Sequence, residues 1–155
     1  MVNSVDFDYI LFTTDQSFLH ITNILYTLDS LDAGGGAAVW SARFTYFQPV
    51  GDAETTEDLR YPSLSFPPLP ASRSFVLSRR LAAYLVSNAD LLESYSSLGI
   101  SLAVWLAGVS PRLVNDPRWR DAGELASVAE LHAASDILAV DNLSARDMEE
   151  IWRVV

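Results

Sequence analysis

The reactive side chains of this sequence are few: two histidines, His20 and His132, twenty Asp plus Glu, ten cationic residues that are all Arg, and no Cys. Without Lys there is no Schiff-base amine and no Walker lysine for a phosphate; without Cys there is no thiolate nucleophile, disulfide or cysteine zinc site. Each histidine falls on an expected helix with no second imidazole nearby, and a catalytic imidazole needs a nucleophile and an orienting carboxylate in space. Asp136 stands four residues after His132 and is its one local candidate. Both histidines are expected to be structural. Asp6 and Asp8 alternate ahead of a strand, so they share a side and could hold Mg²⁺ or share a proton. A solvated strand start is the simpler reading, and the same discount applies to Asp29 and Asp32 at the end of a helix.

Two familiar motifs are excluded by context. The glycines at 34–36 follow a helix and precede a strand, whereas a phosphate loop follows a strand and opens a helix. No Gly-x-Ser-x-Gly elbow is present to expose a serine nucleophile. No catalytic residue, metal site or cofactor is therefore expected.

Charge placement is more informative. The net charge is −10, which argues against a general nucleic-acid binder, since phosphate recognition needs a basic footprint. Residues 1–60 carry nine acids and two Arg, residues 61–120 three acids and six Arg, and residues 121–155 eight acids and two Arg, or −7, +3 and −6. Such segregated acid can present a negative face to a basic protein partner. In the middle third, Arg112, Arg118, Trp119 and Arg120 could bind an anion, but internal ion pairs with Asp116 and Asp121 are the expectation.

The function these observations favour is a non-enzymatic, acidic protein-binding domain that masks a basic partner, of the immunity-protein or inhibitor type. Its binding residues would be Asp52, Glu54, Glu57, Asp58 and Tyr61, with Phe66 as a second exposed aromatic, because aromatic anchors rimmed by charge are what interfaces use. The alternatives are a small-ligand-binding or enzymatic domain with a pocket lined by Trp40, Phe44, Tyr46 and Trp105, or an assembly protein of a phage or larger complex.

The elements that must position these groups follow from periodicity. Residues 9–14 (YILFTT) read as a strand. Phe18, Ile21, Ile24, Leu25, Leu28 and Leu31 recur at helical spacing, and residues 39–47 alternate as a strand with Trp40, Ala42, Phe44 and Tyr46 on one face. Residues 48–74 hold five prolines and the acidic stretch, so a long loop is expected. A short strand over 74–77 then leads into a helix over 79–97, with Ser78 as N-cap and Gly99 as the left-handed stop. The apolar run 100–106 reads as a strand covered on both sides, and 110–120, with two prolines, as a loop.

The order βαββαβ predicts an α+β domain with a ferredoxin-like antiparallel sheet and its helices on one face. A C-terminal extension over 121–155 would add a helix over 122–134, a short strand over 136–140 and a last helix. Ser144 and Asp147 would form that helix's capping box, with Leu143 and Met148 as its staple. All 155 residues are expected to form one domain. The start lacks the features of a secretory signal and the longest apolar run is too short to span a bilayer, so a cytoplasmic protein without membrane contact is expected.

Overall fold

The computed structural model describes residues 6–31, 36–52, 55–125 and 136–153. The chain runs β1 (Tyr9–Phe12), β2 (Phe18–Leu19), α1 (Ile21–Leu31), β3 (Val39–Ala42), β4 (Phe44–Thr45), α2 (Thr56–Leu59), β5 (Leu69–Pro70), β6 (Phe75–Ser78) and α3 (Arg79–Ser87). It continues with α4 (Leu98–Ala107), β7 (Arg112–Asn115), β8 (Trp119–Asp121), β9 (Ala139–Asp141) and α5 (Ala145–Trp152). Short 3₁₀ turns occupy Val50–Asp52, Ala89–Leu91 and Ala122–Glu124. The class is mixed α+β, as expected.

The main sheet has the order β1-β6-β3-β7. β6 is antiparallel to both β1 and β3, whereas β7 lies parallel to β3. A smaller sheet, β2-β9-β8, pairs β8 parallel to β9, and β4 pairs with β5. Every residue of β3 and β6 is buried, so the centre of the main sheet is covered on both faces. Phe75 and Leu77 of β6 join Trp40, Ala42 and Phe44 beneath Leu81 of α3 and Leu102, Ala103 and Leu106 of α4. Val76, pointing the other way, packs with Ile24 of α1, Trp119 and Leu138. Helices thus lie on both faces, where a single helical face was expected. The reason is that consecutive residues of β3 and β6 are apolar or small enough to be buried in either direction.

Three further expectations are corrected. Residues 100–106 are a helix, not a strand. Ser97 caps α4 by accepting a hydrogen bond from the Ile100 N–H, and an apolar helix buried on several sides has the same composition as a buried strand. Gly99 consequently sits inside the first turn of α4 and not after α3. A Cβ there would come within 3.2 Å of Pro70 Cγ, so its lack of a side chain lets α4 approach β5 closely. Residues 110–120 contain β7 and β8, because Pro111 and Pro117 flank these strands without entering their ladders.

The 48–74 segment is partly ordered by its own pairing. Val50 N–H donates to Leu64 and Phe66 N–H to Gln48, while Thr55 caps α2 by accepting from the Asp58 N–H. Residues 126–135, including His132 and most of the expected 122–134 helix, lie outside the described residues. The capping box of the last helix is present as expected, with Ser144 and Asp147 each bonding the other's backbone. Among the described residues no helix is long and apolar enough to cross a membrane.

Candidate functional site

β1 and β3 are both antiparallel to β6, so they run the same way, and β8 and β9 are parallel to each other. The residues just beyond these four strand ends are brought together with the start of β6. Asp141, the last residue of β9, is 1% exposed, and its two oxygens accept four hydrogen bonds. Ser17 Oγ donates to one oxygen at 2.7 Å and Ser74 Oγ to the same oxygen at 2.5 Å. The backbone N–H groups of Arg73 and Ser74 donate to the other at 2.7 and 2.9 Å. A buried carboxylate is tolerable only with such compensation.

The same face is tied together at its edges. Thr13 and Ser74 share a hydrogen bond of 3.0 Å, and the Arg43 N–H donates to Ser72 Oγ at 3.2 Å. Asn142 turns the chain at φ 62°, a left-handed conformation that asparagine adopts more readily than most residues, and its amide donates to Asp121. The Leu143 N–H donates to the Gln16 carbonyl at 3.0 Å, which holds the 13–17 loop against the exit of β9.

Two hollows flank this junction. A small one, about 140 Å³, is lined by Arg43, Ser72, Trp119, Arg120, Asp121 and Glu124 among others. Here Arg43 pairs with Glu124 across the rim. The second, about 720 Å³ and open, lies between Asp15 and Gln16 on one side and Leu143, Met148, Glu149 and Arg153 on the other. Among the described residues no group of three or more His, Asp or Glu could hold a metal ion. With Arg43 held by Glu124, the guanidinium of Arg120 is what gives the small hollow N–H donors for an anion, beside the carboxylate of Asp121.

The residues singled out for partner binding are not presented as one surface. Asp52 and Glu57 are exposed, Glu54 lies outside the described residues, and Asp58 is only 3% exposed. Phe66 is buried, not an exposed anchor, and Tyr61 stacks on it with ring centroids 5.5 Å apart. Tyr95 meets Tyr61 edge-on at 6.3 Å. Asp58 accepts from the Ser96 N–H at 2.9 Å and from Ser96 Oγ at 2.5 Å. Burial acts to raise the Asp58 pKa, but the hydrogen bonds from Ser96 and Thr55 outweigh it and hold the group below its ordinary value. Burial, followed by the charge of Glu93, pushes Tyr95 up. A cavity of about 400 Å³ opens beside this cluster.

Of the other aromatic candidates, Trp40 and Phe44 form an edge-to-face pair at 5.1 Å within the core. Trp105 is partly buried, its Nε1 donating to the Glu93 carbonyl at 2.7 Å, and Tyr46 is 46% exposed. His20 accepts through Nδ1 from the Asn23 N–H. Arg118 binds Asp116 through its Nε and a terminal nitrogen and reaches Thr27 at 3.1 Å, the internal ion pair expected for this group. Asp6 and Asp8 both pair with Arg79, at 2.7 and 3.3 Å. The strand-end junction itself was missed in sequence, because Ser17, Ser74 and Asp141 are 57 and 67 positions apart and share no motif. The available signal was a lone Asp closing an otherwise apolar strand.

No family model matches the sequence. The chain is similar to UDP-GalNAc:beta-1,3-N-acetylgalactosaminyltransferase 2 of Danio rerio, with 26% identity over 151 residues, 97% of this chain and 29% of that protein. Its counterpart in Homo sapiens is 22% identical over 155 residues, and that in Mus musculus 21% over 153, each match covering 99% of this chain and 29% of the relative. The chain thus spans less than a third of the length of these relatives. This likeness overturns the immunity-protein or inhibitor reading. Small size and acidity are shared by many unrelated proteins and carry no information about a partner.

Proposed function

We propose that the chain is a glycosyltransferase-related domain whose strand-end face, organised by Asp141, contributes to binding a nucleotide-sugar. The observation that carries this reading is the likeness to the galactosaminyltransferases over nearly the whole chain. The geometry supports it: ligands of sheet proteins with parallel strands bind beyond the carboxyl ends of those strands, and here four such ends meet. A nucleotide-sugar carries a diphosphate that leaves when the sugar is transferred, and its negative charge needs fixed positive groups. In a chain without lysine those groups are guanidiniums, and Arg120 lines the hollow beside the Arg43–Glu124 pair. Asp141 would act here by fixing the 13–17 and 72–74 loops, not by proton transfer.

Because the chain spans 29% of the relatives' length, the role proposed is a share of the nucleotide-sugar site and not the complete reaction.

Isothermal titration with UDP-GalNAc and with UDP tests the proposal. Both should bind, and Arg120→Ala should weaken both by about tenfold, the value of one hydrogen bond to a charged group. A folded protein that binds neither ligand would exclude it.

A further inference from the structure

The small hollow beside β8 is lined by two guanidiniums, Arg43 and Arg120, and two carboxylates, Asp121 and Glu124, so its charges cancel as it stands. At about 140 Å³ it is smaller than the roughly 300 Å³ at which ligand pockets begin. A diphosphate therefore meets a neutral and closed entrance. We propose that the Arg43–Glu124 pair is a latch: the Glu124 carboxylate occupies the guanidinium that an anionic ligand must take over, and its displacement opens the hollow. The identity of the anion, a nucleotide diphosphate, rests on the nucleotide-sugar reading; the latch itself concerns any phosphate anion.

The four charges are not equally free to move. Asp121 is fixed from two sides, accepting from the Gly123 N–H at 2.9 Å and from the Asn142 amide. Arg43 is fixed at its backbone: its N–H donates to Ser72 Oγ at 3.2 Å, and its carbonyl accepts from the Ala71 N–H at 2.7 Å. Its guanidinium, at the end of a long side chain, is left to swing between partners. Among the described residues Arg43 is the one partner of the Glu124 carboxylate, while the Arg120 guanidinium has neither an ion pair nor a hydrogen bond. Arg120 can therefore meet an anion first, and Arg43 can join it only by leaving Glu124.

That exchange costs little. The side chains of the pair are 38% and 41% exposed, and such pairs contribute little because water screens them and holding two long side chains costs entropy. A diphosphate carries more than one negative charge and offers several oxygens, so it outcompetes a single carboxylate for the guanidinium fork. Once Glu124 has left, two Arg face Asp121 alone and the lining is net positive. Glu124 is well placed to leave: it closes the Ala122–Glu124 turn, which Asp121 starts as N-cap, so the fixed carboxylate and the movable one stand at opposite ends of one short element.

Inorganic pyrophosphate and UDP are each titrated by calorimetry into the wild-type chain, Glu124→Gln, Arg43→Gln and the double variant. Glu124→Gln keeps the side-chain shape and should tighten both anions about threefold, the value of an exposed ion pair that no longer competes. In the Arg43→Gln background the same change should lose that gain, since no guanidinium remains to be released. A gain of equal size with and without Arg43 is a through-space effect of charge and overturns the latch. Unchanged affinity in Glu124→Gln, or failure of that variant to bind either anion, overturns it too. The Arg43 Nε–H resonance gives a readout that needs no Arg43 variant: pyrophosphate should move it in the wild type, and a resonance that stays in place contradicts the latch. Pyrophosphate that follows these rules while UDP does not bind leaves the latch standing and counts against the nucleotide-sugar proposal alone.

Discussion

Two carboxylates are buried by the same fold and put to different uses. Asp141 is 1% exposed and accepts four hydrogen bonds from three residues in two separate loops. Asp58 is 3% exposed, receives its two closest hydrogen bonds from Ser96, and lines a cavity. The first has no acceptor capacity to spare and therefore holds loops in place; the second has capacity left and a space beside it. Burial alone does not set the role of an acid. What distinguishes them is how many of their lone pairs the protein itself has filled.

The sharpest way to break the comparison is to neutralise each acid in turn. Asp141→Asn replaces an acceptor with an amide N–H₂ that faces donors, and it should cost about 3 kcal/mol or more in urea unfolding, since several buried donors lose their partner together. Asp58→Asn should cost only about 1–2 kcal/mol, because Ser96 is exposed and can turn to water. Equal losses would erase the distinction drawn here.

Acid provides an intermediate test. Asp58 and Asp116 both have folded-state pKa values lowered from 3.8. For Asp116 burial opposes the shift, and the hydrogen bonds from Arg118 outweigh it. A lowered folded pKa means the unfolded chain takes up the proton more readily, so this stability is fully present above the unfolded value and is lost as pH falls through the folded one. Stability measured by urea at successive pH values should therefore drop below about pH 4. Asp116→Asn should flatten part of that drop.

The smallest effect should come from Ser144→Ala. It removes the cap of α5 and should cost about 1 kcal/mol in thermal unfolding. Any larger loss would tie the last helix more tightly to the Asp141 junction than its hydrogen bonds indicate.

How much of this was legible beforehand depended on whether the signal was local. The cap at Ser144, the first strand and the Arg118–Asp116 pair are set by neighbours within a few positions, and the sequence showed them; the apolar stripe of α1 was right only in part, since Ile24 is buried but Ile21 and Leu25 are 50% and 58% exposed and Phe18 lies in β2. Residues 100–106 were not legible, since an unbroken apolar run has no periodicity to choose between helix and strand and the choice fell to the Ser97 cap. The strand-end junction was not legible either, because it joins residues from Thr13 to Asn142 through tertiary contacts. Asp58 was noticed, but for the wrong reason: its charge suggested an exposed binding face, while the Ser96 hydrogen bonds that bury it are 38 positions away.

We propose that the face organised by Asp141 binds a nucleotide-sugar. The most direct test is an NMR titration of ¹⁵N-labelled protein with UDP-GalNAc, following every assigned amide. Saturable shifts are expected at Arg43, Ser72, Arg120 and Asp121, abolished or weakened about tenfold in Arg120→Ala. A titration that leaves these four amides unmoved, with the protein shown to be folded, would contradict it.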